Sequence, residues 1–527
     1  MPIAIDFGTS NTVVTRWNTI TERAEIVNLG TIAQQIGDNP PLIPSLIYVE
    51  NAAQGKVIIG QTVRDRGLDL SNDPRFFRSF KRGIGTTIQG FLPQLDGKIL
   101  TFEQLGEWFL KAIIQQFADS PDSLILTVPV NSFESYRNWL SQVCQNWQVE
   151  QIRIVDEPTA AALGYGTDGD SLLLVVDFGG GTIDLSLVQL DLGKSQKPQG
   201  FILKWGEKLF EQNSAQKAKI AKVLAKAGEN LGGSDLDNWL IDYFHQDRGI
   251  PKSPLTTRLA ERLKIQLSSQ TEAQEVYFND RTLETYVLSL NRQDFAKILQ
   301  QHQFFEQLDE LMIGVLSQGR RNGVKVSDID AVLLVGGSIQ IPAVQTWVQQ
   351  YFEESKIRCD RPFDAIATGA LQLERGLEVK DFLYHSYGIR YWNRRQNCHS
   401  WQTIIPSGQP YPMNESVELL LGASVENQPS IELIVGELGL ENSATEVYFD
   451  GDRLITRHVK GGETNVRPLN DRGYARTIAR LEPRGNPGSD RVKVQFWVDE
   501  QRFLRITVED LLTNQTLLAN QSVAQLS

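Results

Sequence analysis

Leu172-Leu173-Leu174-Val175-Val176-Asp177-Phe178-Gly179-Gly180-Gly181-Thr182-Ile183-Asp184 is the stretch from which the rest of the chain is read. It opens with an unbroken apolar run cut off by glycines, the pattern of a buried strand. The turn it feeds has three glycines, which lack a Cβ and let the backbone take positive φ and approach a ligand closely. Successive N–H groups of such a turn point into one concavity that suits phosphate oxygens. Asp177 and Asp184 bracket the turn. Carboxylates beside a phosphate make sense when a cation such as Mg2+, with its waters, sits between them. The plainer reading is a glycine hairpin with two solvated aspartates, since glycine motifs are common.

A second stretch, Ile3-Ala4-Ile5-Asp6-Phe7-Gly8-Thr9-Ser10-Asn11, repeats the plan: a short apolar strand, then Asp, Phe, Gly and Thr. Two copies of one turn in one chain point to internal duplication. Duplicated halves would set two phosphate loops face to face across a cleft.

Four motifs occur in order: Asp6-Phe7-Gly8-Thr9, Val155-Asp156-Glu157-Pro158-Thr159-Ala160-Ala161-Ala162, Asp177 to Asp184, and Leu334-Val335-Gly336-Gly337-Ser338-Ile339-Gln340-Ile341-Pro342. Together they resemble the actin-like ATPases, and most closely the heat-shock protein 70 (DnaK-type) chaperones, over nearly the whole chain. The resemblance implies an α/β actin-like ATPase domain of two duplicated lobes with inserted subdomains, followed by an antiparallel β-sandwich. It sets the ATPase domain at residues 1–378, with lobe insertions at about 36–118 and 231–305. An interdomain linker at 379–388 and a β-sandwich peptide-binding domain at 389–527 follow.

The resemblance also assigns residues. ATP or ADP would lie between Gly8-Thr9-Ser10 and Gly179-Gly180-Gly181, with Gly336-Gly337-Ser338 at the adenosine. Asp6 and Asp177 would hold Mg2+ through water, with K+ as an optional further cation. Lys81, in Phe80-Lys81-Arg82-Gly83-Ile84-Gly85, would reach the β- and γ-phosphates. Glu157, Asp177, Thr182 and Asp184 complete the catalytic set. By itself a lone lysine is solvated surface, and Glu157 before a proline suits any helix start. Glu261 and Lys264 match residues that touch the adenosine. Where the family stacks two arginines on the base, this chain has Ile265 and Gln340. Losing both removes cation–π contributions of roughly 0.5–2 kcal/mol each, so nucleotide binding is expected to be weaker. Phe363 stands where the family commonly has an acid. Pro129 and Arg137 match a pair that relays nucleotide state to the neighbouring domain.

Periodicity supplies the coarse elements. Leu105, Trp108, Phe109, Ala112 and Ile113 recur at helical spacing over 101–117, and Thr101 with Gln104 opens a capping-box pattern. Leu124 to Val128 reads as a buried strand stopped by Pro129, and Leu259 to Leu267 as a helix. Residues 191–228 are lysine-rich, and Ser214 to Lys226 reads as an amphipathic helix with a basic face. Solvated insertion is the plain reading of that face, and a dock for an acidic partner the sharper one.

Beyond Val379 helical spacing gives way to short alternating runs at Val417–Leu421, Ile431–Val435, Val492–Val498 and Phe503–Val508, which read as an antiparallel sandwich. The segment resembles the chaperones' peptide-binding domain. Ile431 matches the pocket floor, and Leu421, Ser424 and Leu433 its surroundings. Ordinary sandwich core explains Leu421 and Leu433 equally well. Such a site would take an extended apolar segment by main-chain hydrogen bonds and one buried side chain. No helical lid follows the last expected strand, so fast peptide exchange is expected.

Composition bounds the function. The 527 residues are 41% hydrophobic and 22% charged, ordinary for a soluble globular chain. A net charge of −12 argues against sequence-independent nucleic-acid binding. Cys144, Cys359 and Cys398 are too few and too scattered for a disulfide framework or metal cluster. No apolar run is long enough for a membrane span, and a phosphate loop starting at Asp6 leaves no room for a signal peptide. The expectation is a cytoplasmic ATP-dependent chaperone, with unfolded polypeptide, a J-domain co-chaperone and a nucleotide exchange factor as partners and no nucleic acid or membrane. The competing classes are a nucleotide-gated holdase or exchange-factor-like partner with negligible ATPase, and an actin-like small-molecule kinase or filament protein.

Overall fold

Apolar runs flanked by glycine and proline become the inner strands of two sheets. The computed structural model describes residues 1–37, 39–86, 88–89, 92–118, 121–129, 136, 139–140, 143, 147, 149, 151–166, 172–191, 220–279, 282–372, 383, 386–393, 398–406, 409, 411–413, 415–438, 443–450, 453–460, 466–470, 477–499 and 502–526. They divide into two units, Met1–Val379 with Thr445–His458, and Lys380–Ala444 with Val459–Ser527.

In the first unit one sheet is built from β1 (Pro2–Phe7), β2 (Asn11–Asn18), β3 (Arg23–Ile26), β4 (Ser123–Val128) and β5 (Gln151–Asp156). Its order is β5-β4-β1-β2-β3, with β1, β4 and β5 parallel and β2 and β3 antiparallel. The other sheet comprises β6 (Leu172–Phe178), β7 (Ile183–Asp191), β8 (Ile220–Glu229), β9 (Ala331–Val335) and β10 (Ile357–Arg358). Its order, β8-β7-β6-β9-β10, repeats the first in both sequence and direction: β6, β9 and β10 run parallel, β7 and β8 antiparallel. All-buried strands such as β4 and β9 are what parallel pairing between two covered faces requires.

Six helices position the site: α1 (Phe102–Ile114), α2 (Glu157–Tyr165), α3 (Gly233–Arg248), α4 (Pro254–Ser269), α5 (Phe304–Arg321) and α6 (Ala365–Leu371). Thr101 caps α1 by accepting from the Gln104 N–H at 3.2 Å, as the sequence implies. A layer formed by α2 and α6 lies between the two sheets. Ala160–Leu163 and Ala365, Ile366, Ala370 and Leu371 share one core with Ala4, Ile125 and Val155 of the first sheet and Leu173, Val175 and Leu333 of the second. Alanine and glycine dominate these helices because their backbones nearly touch. A Cβ on Gly164 would fall 1.8 Å from the Ala365 carbonyl oxygen, and one on Gly369 1.8 Å from that of Ala160.

The basic helix expected over Ser214–Lys226 is not what forms. From Ile220 onward the chain is β8, paired antiparallel with β7; residues 214–219 lie outside the described set. Across a register shift in the ladder with β7, Val223 packs on the core shared with α2, while Leu224, Ala225 and Ala227 pack on the core of the opposite face. Local helical spacing loses to that non-local pairing.

The second unit is antiparallel throughout. Its strands are β11 (Ser386–Asn393), β12 (Cys398–Ile405), β13 (Val417–Gly422), β14 (Gln428–Glu432), β15 (Val435–Leu438), β16 (Val466–Pro468), β17 (Thr477–Gly485), β18 (Asp490–Val498), β19 (Phe503–Asp510) and β20 (Gln515–Gln525). They form sheets β12-β11-β15-β16 and β13-β18-β19-β20, with β14 paired to β17. Alternate residues Leu504, Ile506 and Val508 of β19 turn inward onto Val494, Phe496, Tyr387 and Ile389. Here too a sequence expectation is corrected: Ile431–Val435 is not one strand. It breaks after Glu432, and β14 and β15 join different ladders. Apolar character continues across the break because Leu433 and Val435 both point into the core, so pattern alone does not show the change of partner.

Candidate functional site

Strand ends deliver the charged residues. β1 ends at Asp6-Phe7 and β6 at Asp177-Phe178, and each feeds a glycine turn. The register of β6 and β7 sets Asp177 directly opposite Asp184. The two turns face one another at contact distance. A Cβ on Gly180 would lie 1.9 Å from Ser10 Oγ, and one on Gly181 2.5 Å from Thr9 Oγ1. A side chain at either position would displace Ser10 or Thr9, so glycine lets the second turn close onto the side chains of the first.

Lys81 comes from the short 3-10 turn Phe80–Gly83 and is buried at 8% exposure. Its Nζ donates to Glu157 Oε1 at 3.1 Å, and Glu157, first residue of α2, is also buried. The ammonium lies 5.7 Å from the Phe7 ring centre and 5.8 Å from that of Tyr136, and the Tyr136 hydroxyl donates to the Lys81 carbonyl at 2.7 Å. Burial opposes the charge on Lys81, but Glu157 and Asp6 beside it outweigh that and raise its pKa above the ordinary lysine value.

The carboxylates behave as a crowded set. Burial, then Glu157, push Asp6 up to about 6, with Lys81 and a 2.7 Å hydrogen bond from Thr127 Oγ1 acting the other way. Burial, Glu157, Asp184 and Asp6 drive Asp177 well above the usual carboxylate range. Asp184 rises to about 7 through burial and Glu157, moderated by a hydrogen bond from the Thr182 side chain. Such an excess of buried negative charge fits a divalent cation. Among the described residues, however, no group of three or more His, Cys, Asp or Glu side chains is placed to hold a metal directly. Asp6 and Asp177 are the residues that could hold such a cation through its waters.

The remaining motifs converge on the same glycines. Ser338 Oγ donates to the Gly179 carbonyl at 2.9 Å. Gly336 has φ +88° and packs on Phe178, where a Cβ would meet the Phe178 carbonyl oxygen at 2.4 Å. Lys264 of α4 donates to the Gly233 carbonyl at 2.6 Å and pairs with Asp237 at 2.7 Å. Glu261, one turn earlier, is paired with Arg64 at 2.8 Å. Ile265 is 39% exposed, Gln340 closes the turn Gly337–Gln340, and the edge of the Phe363 ring abuts Gly337. Pro129 follows β4 and is half-buried; Arg137 lies outside the described residues, as does most of the 379–388 linker.

Several residues of this constellation escaped the sequence reading. Gly232 and Gly233 belong to it: Gly233 N donates to the Gly179 carbonyl at 3.0 Å and Ser234 N to that of Gly180 at 2.8 Å. The double glycine ahead of a helix was the available signal. Thr127, Tyr136 and Lys226 carried none, since single residues on apolar strands or basic stretches look like filler.

In the second unit Ile431 and Leu433 are buried in one core with Ile389, Ile404 and Leu481, and Leu421 packs half-buried against it. Ser424 is exposed; its N–H and hydroxyl both donate to Gln428 Oε1, at 2.7 and 3.1 Å. Ile431 and Leu433 thus share one core with Leu421 against it, and Ser424 lies in the loop that precedes β14. Cys359 is half-buried and Cys398 exposed, and neither forms a disulfide among the described residues.

A family model described as Hsp70 protein matches residues 95–197 and 217–432, more than half of the chain. The match takes in Glu157, Asp177, Asp184, Glu261, Lys264 and Ser338 of the first unit and runs to Glu432 in the second.

Proposed function

The chain belongs to the Hsp70 family, and on that premise we propose that it is an ATP-dependent chaperone whose ATPase governs the binding of extended apolar peptide segments. The observation that carries this reading is the apposition of Gly8–Ser10 and Gly179–Gly181 with the buried Lys81–Glu157 pair beside them. The common strand order of the two sheets supports duplicated lobes, each supplying one phosphate loop.

The residues divide the work. Backbone N–H groups of the two turns bind the phosphates, and Lys81 neutralises the γ-phosphoryl oxygens. Glu157 holds Lys81 in place, and Asp6 and Asp177 would hold Mg2+ through its waters, where the cation would supply compensation for phosphate charge. Water attacks the γ-phosphorus as the bond to the β–γ bridging oxygen breaks. Asp184, with its pKa pushed up to about 7, is suited to accept the water's proton near neutral pH. Positioning and charge compensation supply most of the rate in such transfers. Ile431, Leu433, Leu421 and Ser424 form the peptide site; Pro129, Arg137 and residues 379–388 carry the nucleotide state to it. A J-domain protein, an exchange factor and a cytoplasmic location complete the proposal.

One observation favours a second reading, the nucleotide-gated holdase. Glu261 and Lys264 are already engaged by Arg64 and Asp237, and no arginine stacks on the base at Ile265 or Gln340. Single-turnover ATP hydrolysis by the full chain, beside Lys81→Ala and with and without an apolar peptide, separates the two. Hydrolysis lost in the variant and accelerated by peptide supports the chaperone cycle. Peptide binding without Lys81-dependent hydrolysis supports the holdase.

A further inference from the structure

The surroundings of Lys81 give a role to a residue that no motif marked. A lysine head on its four-carbon stem samples many rotamers unless something fixes it. Among the described residues Glu157 Oε1 is the only hydrogen-bond acceptor of the Lys81 Nζ, at 3.1 Å. An ammonium has three N–H donors, so two are left for an incoming anion. One hydrogen bond to one carboxylate oxygen fixes the distance to Glu157, but not the direction in which the other donors point. Aromatic rings can restrain an ammonium without offering an oxygen that competes with the anion.

Two rings are in place to do so. The centres of Phe7 and Tyr136 lie 5.7 and 5.8 Å from Nζ, within the range of a cation–π contact. Neither ring is loose. Phe7 stacks on Phe109 of α1 at 5.5 Å and tilts against Phe80 at 6.0 Å. Tyr136 meets Trp139 edge to face at 5.6 Å, and Trp139 Nε1 donates to the Glu103 carbonyl of α1 at 3.1 Å. The Glu103 side chain accepts from the Gly85 N–H at 3.0 Å, just beyond the turn that carries Lys81. Tyr136 acts on that turn a second time, because its hydroxyl donates to the Lys81 carbonyl at 2.7 Å. It is 4% exposed, so both contacts are made away from water, where they count for most. A tyrosine that merely filled the core would need neither a ring beside the ammonium nor a hydroxyl aimed at the same residue's carbonyl.

We propose that Tyr136 is a positioning residue for Lys81. Its hydroxyl fixes the lysine's backbone, and its ring, with that of Phe7, holds the ammonium so that two N–H donors stay directed at the anion taken up between the glycine turns. The inference rests on the ATPase reading for its kinetic consequence, but not for the hold on Lys81.

The test uses the full chain with Tyr136→Phe, which removes the hydroxyl alone, and Tyr136→Met, which removes hydroxyl and ring but keeps most of the volume. Nucleotide-free protein is exposed to a small acetylating ester, and modification of Lys81 is followed by peptide mass spectrometry. Lys264, also shielded and paired with Asp237, is the internal reference. Acetylation of Lys81 is expected to be about fivefold faster in Tyr136→Phe, the scale of one net hydrogen bond. In Tyr136→Met it is expected to exceed about tenfold, because the cation–π contact is lost as well. Lys264 keeps its wild-type rate in both. Single-turnover hydrolysis slows in the same order, with Tyr136→Phe retaining more of the rate, while Mg·ADP affinity is nearly unchanged because ADP has no γ-phosphoryl group. Tyr136→Phe decides the case if Tyr136→Met melts below the assay temperature. Lys81 acetylated at the wild-type rate in the folded variants, Lys81 and Lys264 rising together, or variants that hydrolyse ATP as fast as an active wild type would overturn the proposal. Acetylation that changes as expected in a chain that does not hydrolyse ATP upholds the hold on Lys81 and sinks the ATPase reading instead.

Discussion

Asp6 and Asp184 carry a pH dependence whose sign is fixed by their surroundings. Their folded pKa values, about 6 and about 7, lie above the ordinary 3.8 because burial and Glu157 disfavour the charged form. A carboxyl group raised in this way contributes stability that is full below its unfolded pKa and is lost as pH climbs through the folded value. The window therefore runs from about pH 4 to about pH 7. Lys226, depressed to about 8, acts in the opposite sense and only above that window. Nucleotide-free protein is expected to melt at a lower temperature at pH 8 than at pH 5.5, by an amount equivalent to a few kcal/mol at most. Asp184→Asn should flatten the profile between pH 6 and 8, and saturating Mg·ADP should reduce it. A melting temperature that rises steadily from pH 5.5 to 8 would contradict the crowded-carboxylate account. At this scale the sequence reached the charged residues because each sits in a short motif beside glycine or proline: Asp6, Lys81, Glu157, Asp177 and Asp184. It missed Thr127 and Lys226, whose importance comes only from what a neighbouring strand places beside them.

Between residues and molecule, the crossing of α2 and α6 sets the spacing of the two sheets. The helices meet at Gly164 and Gly369, each with the partner's carbonyl 1.8 Å from where a Cβ would be. Backbone on both sides leaves no flexible atom to yield, so Gly369→Ala must push the helices apart. Overpacking of this kind costs about 1–3 kcal/mol. Chemical denaturation of the first unit should show a lower midpoint by that amount, whereas Ala370→Gly on the same helix leaves the crossing distance intact. An unchanged midpoint in Gly369→Ala would mean the crossing is looser than its geometry indicates. Elements with a strong local signature were legible: β6, β4, α1 with its Thr101 cap, and α4. What the sequence did not disclose were choices made by distant partners. Ile220–Glu229 has a spacing compatible with helix or strand, and its pairing with β7 decides for strand. Ile431–Val435 is apolar throughout, and its division between β14 and β15 depends on which ladder each half joins.

For the first unit as a whole, the segments at about 36–118 and 231–305 are tied by three ionic contacts that no motif announced. Arg64 pairs with Glu261 at 2.8 Å, Arg258 with Asp69 at 3.2 Å, and Arg82 with Asp235 at 3.1 Å. Each joins residues more than 150 positions apart, so only the folded arrangement brings them together. The first segment carries Lys81 and the second Lys264, so release of nucleotide from the proposed site would require separating groups that these contacts hold close. Although burial raises the pKa of Glu261, Arg64 and Lys264 more than offset it and hold the carboxyl below the ordinary glutamate value. The Arg64 pair thus persists to mildly acidic pH. Exposed ion pairs contribute about 0.2–1 kcal/mol each. These are partly shielded, which places them at or somewhat above the upper end, or about a fivefold change in a rate for each. Release of a fluorescent ADP analogue, followed by stopped flow, is expected to quicken about fivefold in Arg64→Ala and by the product of the single effects in Arg64→Ala/Arg258→Ala. Salt should quicken release from the wild type, because screening weakens the same contacts, and should have less effect on the double variant. Glu261 remains ionised from pH 6 to 8, so the fold-change caused by Arg64→Ala should be the same at both ends of that range. Release unchanged in the double variant would show that the contacts fasten the two segments without governing the path of the nucleotide.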